Sequence, residues 1–154
     1  GHLSEEGHNG VEFNAATNCW ARNLRSLNSD NPIIVWRSSF CTMDNIILST
    51  TTSRGTFDAH HGFNVTLSQD VLTSNFQIPF QSYHDLSIYA YVQGVVFANG
   101  TGRNINMDSH RLYPYGTLWS NIILGVGSRA FRSSGETPWS QFHSSWGTFW
   151  NIRA

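Results

Sequence analysis

Asp85-Leu-Ser-Ile-Tyr-Ala-Tyr-Val-Gln-Gly-Val-Val-Phe97 carries the strongest local signal in the chain. Leu86, Ile88, Ala90 and Val92 fall on one side of a two-residue alternation, with Ser87, Tyr89, Tyr91 and Gln93 on the other. That is the pattern of a strand with one apolar and one amphipathic face. Gly94 interrupts it and reads as a bulge or bend. Ala98-Asn-Gly-Thr-Gly102 follows, and Asn-Gly is the pair a two-residue hairpin turn requires, because both of its central residues take positive φ. The reading is a hairpin joining a strand that ends at Phe97 to one that begins near Arg103.

Working outward, the same kind of pulse recurs. Ile33–Trp36, Asn45–Thr52, Gly62–Leu67 and Val71–Phe80 are short, β-branched or aromatic, and bounded by Asn, Asp, Ser or Gly, which predicts strands. Residues 1–30 are polar and Asn-rich with few apolar anchors, and read as a lead-in segment ahead of a β-rich domain over 31–154. Asn45-Ile-Ile-Leu is echoed by Asn121-Ile-Ile-Leu. Two strands with the same burial pattern account for the echo, so no repeat is inferred. The fold class expected is all-β, an antiparallel β-sandwich-like tip domain, with β-surfaces forming its subunit contacts.

Composition agrees with that class. Charged residues are 12% of the chain, against about 25% in average soluble proteins, and Lys is absent. Asn, Ser and Thr together number 45, so neutral polar groups must keep the surface wet, and these residues favour turns over helices. A net charge of −1 supplies no basic field for a phosphate backbone, which argues against nucleic acid as a partner. No apolar run reaches the length of a membrane span, so no membrane insertion is expected. Cys19 and Cys41 are compatible with one disulfide or two buried thiols. Asn64-Val-Thr66 and Asn99-Gly-Thr101 fit the glycosylation sequon, as triplets in an Asn- and Thr-rich chain will by chance.

Candidate chemistry is sparse. The few acids sit mainly at turn-like positions such as Ser29-Asp30-Asn31, where capping of local N–H groups explains them. Asp58-Ala-His60-His61 is the one local cluster with metal-ligand atoms, but neighbours on a strand point to opposite faces, so it reads as a polar turn. No metal and no cofactor is expected, and no GxSxG elbow is present. The aromatics say more. Six Trp, five Tyr and ten Phe are interleaved with amides, and sugar rings stack on aromatic faces while their hydroxyls seek Asn, Asp and Arg. Tyr113 and Tyr115, flanking Pro114, are the candidate exposed contacts. Arg103, Asn104 and Asp108, from the stretch after Asn99-Gly100, would supply polar groups, and Trp139 would add a ring.

Leu112, Pro114, Leu124, Gly125, Ser128, Arg129, Phe131, Trp139, Ser140 and His143 follow a spacing that resembles the segment closing many bacteriophage tail fibres and tailspikes. In those proteins it precedes an intramolecular chaperone removed after trimerisation. The loose match runs over about residues 111–150. The resemblance implies a homotrimer at the virion surface whose receptor-binding domain recognises a host surface glycan such as lipopolysaccharide, without catalysis. The other readings open to this composition are a secreted lectin or carbohydrate-binding module, and a fragment of a polysaccharide depolymerase.

Overall fold

The computed structural model describes residues 5–132 and 144–154. These form the strands β1 (Asn9–Asn14), β2 (Trp20–Leu27), β3 (Asn31–Trp36), β4 (Ser39–Ser49), β5 (Ala59–Thr66), β6 (Gln69–Ile78), β7 (Ser82–Tyr89), β8 (Val96–Gly102), β9 (Met107–Ser109), β10 (Leu118–Ile123) and β11 (Thr148–Arg153). The described residues contain no helix, so none is long and apolar enough to cross a membrane. One sheet has the order β1-β3-β5-β7-β9 and the other β11-β10-β8-β6-β4-β2. Through β10 the chain steps alternately from sheet to sheet, and every strand pairing is parallel. This is a β-solenoid, in which each turn of chain stacks only on its neighbours. A third ladder, one residue wide, runs up one corner through the bridges Gln69↔Gln93, Gln93↔Tyr115 and Tyr115↔Ser145.

The expected antiparallel sandwich is therefore overturned, although the all-β class holds. The reason lies in the opening stretch. β7 ends at Tyr89, and Ala90 and Tyr91 take φ of 53° and 55°. The chain turns there and crosses to the other sheet, where β8 begins at Val96. The hairpin is absent too. Asn99 has the positive φ a turn would use, 56°, but it stands inside β8, and Gly100 is not in the left-handed region. Gly100 is required for space instead, since a Cβ there would lie 2.0 Å from Cζ of Phe76 on the neighbouring turn.

Asn99 is one of a series. Asn23, Asn45, Asn75, Asn99, Asn121 and Asn151 place one left-handed Asn, φ 50° to 56°, in each strand of the second sheet. Asn tolerates this conformation better than any residue but Gly. Side-chain amides link the turns: Asn45 donates to Asn23 at 2.7 Å, Asn121 to Asn99 at 2.8 Å and Asn151 to Asn121 at 2.9 Å. Asn75 donates to Asp44 instead, at 2.7 Å. The linked Asn pairs are 22 or 30 positions apart, the longer interval accommodating an insertion between strands. The echo at Asn45 and Asn121 is thus a structural repeat after all.

Each Asn shifts the alternation by one residue. Met43 and Ile46 both point inward across Asn45, as do Trp119 and Ile122 across Asn121. Their counterparts from the first sheet are Ile33, Val35, Phe63, Val65, Leu86, Ile88 and Met107, all buried. Phe63 meets Phe76 edge-on at 5.3 Å between ring centres, joining the two sheets. Full burial of each such side chain stabilises by about 1.5–3 kcal/mol.

Replacing Asn121 by Ala removes its amide links to Asn99, Asn151 and Arg153 and leaves in the left-handed region a residue that lacks the tolerance of Asn for it. The expected loss is about 1–3 kcal/mol. Asn121→Gly keeps the backbone conformation open and should lose about half as much. Urea midpoints measure both, and equal losses for the two variants would show that the backbone conformation contributes nothing.

Candidate functional site

Two features of the solenoid wall combine concavity with chemistry. The first is a depression of about 270 Å³ on the five-stranded sheet, lined among others by His60, His61, His84, Tyr89, His110 and Arg111. β5 and β7 pair in a register that sets His61 beside His84. Their rings stack at 5.1 Å with planes 26° apart, and His60 lies 4.1 Å from His61 between ring centres. β9 adds Asp108, fully buried, which accepts from Nδ1 of His84 at 2.9 Å, from Nδ1 of His110 at 2.7 Å and from the Ser87 hydroxyl at 3.3 Å.

The electrostatics follow from this packing. Burial alone would raise the Asp108 carboxyl, but the hydrogen bonds and charge of His110 and His84 outweigh it and hold the group well below the usual carboxylate range. Burial pushes His84 below the ordinary imidazole value against the pull of Asp108. Burial, reinforced by the neighbouring imidazoles, takes His61 well below it. Both rings are therefore neutral at pH 7, each able to donate from one nitrogen and to offer the lone pair of the other. One ring nitrogen from each of His60, His61 and His84 lies within 4.8 Å of the others, and the ligand atoms of His84, Asp108 and His110 meet the same limit.

The second feature follows the corner ladder. A groove of about 240 Å³ is lined by polar residues including Arg37, Ser39, Gln69 and Gln93, with Tyr91 at its side. Tyr91 faces Tyr113 at 6.1 Å between ring centres, and one step along the ladder Tyr115 faces Trp146 at 6.3 Å. All four rings are exposed, from 44% for Tyr115 to 80% for Trp146. Left-handed φ values at Tyr91, Tyr113 and Trp146 turn the chain at this corner, which is why the rings stand out from the wall rather than entering the core.

The residues singled out from sequence separate accordingly. Tyr113 and Tyr115 stand in the aromatic corner, whereas Asp108 lies under the histidine depression. Asn104 is buried and structural: it donates to Gln81 and Ser128 at 3.1 and 2.9 Å and accepts from the Ser128 N–H at 3.1 Å. Arg103 is exposed, and its carbonyl accepts from the Val126 N–H at 3.0 Å. Trp139 lies outside the described residues. Sequence reasoning missed Tyr91, Trp146 and Gln93 as contacts, and its reading of Asp58-Ala-His60-His61 as a polar turn is corrected, since His60 and His61 stand within β5 with His61 beside His84 of β7. The signal available was the turn length, which sets His61 over His84 and Tyr91 over Tyr113. Cys19 and Cys41 are both free thiols, half-buried and buried, on successive turns.

No family model matches the sequence, and comparison with curated proteins and with solved structures returned no match. The fold and its surface define a two-sheet parallel β-solenoid with an aromatic corner and a histidine-lined depression.

Proposed function

We propose that the chain is a receptor-binding segment of a phage tail fibre or tailspike that holds a host surface glycan, such as lipopolysaccharide, along its aromatic corner without cleaving it. The observation that carries this reading is the pair of exposed ring contacts, Tyr91 with Tyr113 and Tyr115 with Trp146, beside a groove lined with amides and hydroxyls. Aromatic faces accept the C–H faces of sugars, and neutral polar side chains accept and donate to hydroxyls. Successive turns of a parallel solenoid are about 4.8 Å apart, so a saccharide chain laid along the corner meets a similar set of groups at each turn. The absence of Lys and the net charge of −1 suit a ligand read through hydroxyls.

Trimerisation belongs to the same proposal. Trp20 and Leu72 flank Thr42 in register on the outer face of the six-stranded sheet and are 64% and 36% exposed, apolar surface that association would cover. Three copies would multiply a modest affinity through effective concentration. The resemblance of residues 111–150 to fibre ends supports the same assembly and a position at the virion surface.

A glycan array followed by titration of the best ligand tests the proposal, with Tyr113→Ala and Trp146→Ala each expected to weaken binding to a single site about three- to tenfold. Both rings are exposed, so the fold should be unaffected. Failure of every saccharide to bind, or unchanged affinity in both variants, would overturn the reading. Shortened polysaccharide chains after incubation would replace adhesion by depolymerisation.

A further inference from the structure

We infer that His60, His61 and His84 form a three-histidine site for a divalent transition metal, with zinc the best fit. This site lies in the depression on the five-stranded sheet and is independent of glycan binding at the corner.

The first observation is proximity. One ring nitrogen from each imidazole lies within 4.8 Å of the other two. A tetrahedral site with Zn–N bonds of about 2.0–2.1 Å has edges of roughly 3.4 Å, a spacing that modest side-chain rotation reaches.

The second observation is the oxygen shell behind the rings. Nδ1 of His60 contacts Glu5, Nδ1 of His61 lies 2.8 Å from Oδ1 of Asn31, and Nδ1 of His84 lies 2.9 Å from Oδ2 of Asp108. The Asn31 amide is oriented for this role because its Nδ2 donates to Asn9 at 2.9 Å, leaving Oδ1 to accept. An imidazole that donates through Nδ1 carries its lone pair on Nε2. Each of the three rings thus has an oxygen acceptor at Nδ1, which favours the tautomer that would ligate a metal through Nε2. Metal-binding histidines characteristically have such a partner on the second nitrogen.

The chemistry of the set narrows the ion. Three imidazoles without a thiolate suit zinc, copper or nickel, whereas magnesium and calcium prefer oxygen. The Asp108 carboxylate behind His84 raises the basicity of that ring as a ligand. Three protein ligands would leave a fourth position for water or an oxygen of a bound molecule.

The test uses the full chain after treatment with chelator and exhaustive dialysis. Zinc is titrated by calorimetry, bound metal is quantified by elemental analysis, and cobalt(II) is substituted to report coordination number. The expected result is one zinc per chain and the intense visible absorption of four-coordinate cobalt. His60→Gln and His61→Gln, both on rings open to the depression, should abolish that absorption while leaving far-ultraviolet circular dichroism unchanged. Asn31→Leu, which removes the acceptor behind His61 together with the hydrogen bond to Asn9, should weaken binding by about 10- to 100-fold.

Substoichiometric zinc on folded protein, a six-coordinate cobalt spectrum, or zinc binding that survives His60→Gln and His61→Gln would each overturn the assignment. Glycan affinity measured with and without chelator separates this result from the reading of the corner, because either can fail alone.

Discussion

Arg129→Met lowers the stability of the protein by about 3–5 kcal/mol at alkaline pH, the cost of leaving a buried carboxylate ionised without its cation. Asp85 is 1% exposed and pairs with Nη2 of Arg129, while the N–H groups of Ser82 and Asn106 donate to it at 2.9 and 3.0 Å. Arg129 also donates from Nε and Nη2 to the Asn104 carbonyl at 3.3 and 3.2 Å. The segment after β10 is thereby fastened across the two turns below it, and removal of the guanidinium releases that link as well.

The pH dependence distinguishes charge from packing. Burial pushes Asp85 up to about 6, against the opposing pull of Arg129 and the two N–H donors. With a folded pKa above the unfolded value of about 3.9, the folded state binds more protons between the two. The contribution of this group to stability therefore falls as pH rises from about 4 to about 6. Loss of Arg129 lifts the folded pKa further. The deficit of the variant is then full at alkaline pH, shrinks as pH falls toward about 6, and is constant below that, where Asp85 is protonated in both folded proteins. Urea midpoints at pH 8 and pH 5.5 measure it, and an identical deficit at both would mean that Arg129 acts by packing alone.

Trp119→Ala carries a cost of similar size but a different distribution. Trp119 is fully buried, stacks on Phe149 at 4.6 Å with planes 5° apart, and pairs in register with Phe97 and Phe149 on its two sides. Phe131 packs edge-on against Phe149 at 5.0 Å. Truncating a buried Trp costs about 3–5 kcal/mol. Because each turn of a solenoid contacts only its neighbours, the loss should concentrate at β10 and β11. Amide hydrogen exchange there is expected to accelerate on the order of a thousandfold, with β3 to β7 nearly unchanged. Uniform acceleration through the chain would show instead that the fold opens as one cooperative unit.

Much of the secondary structure was legible because burial alternates locally. Ile33–Trp36 lies within β3, Gly62–Leu67 overlaps β5 and Val71–Phe80 overlaps β6. The direction of pairing was not, for a physical reason that Asn99 illustrates. Positive φ at Asn serves a hairpin turn and an in-strand left-handed residue alike, and the choice depends on whether a neighbouring Asn is stacked there to exchange an amide hydrogen bond. Asn121 supplies that partner from 22 positions away. Unequal insertions between the Asn positions concealed the repeat that would have revealed the partner.

The candidate sites divide in the same way. Tyr113 and Tyr115 were identifiable as surface residues because Pro114 between them marks a turn. Their companions Tyr91 and Trp146 come from other turns of the solenoid, and the strands between them hold the spacing. Asp108 was identifiable as a polar group, but its burial and its role between two imidazoles depend on the register of β7 against β9.

Amino-acid content and two-residue alternation alone determined that the chain forms short strands with a neutral polar exterior, since strand propensity and side-chain hydration are local properties. Parallel stacking, the inward rotation either side of each left-handed Asn, and the gathering of His60, His61 and His84 were decided only by the tertiary structure. Those depend on which residues lie one turn away, a distance set by the lengths of intervening segments rather than by any adjacent pattern.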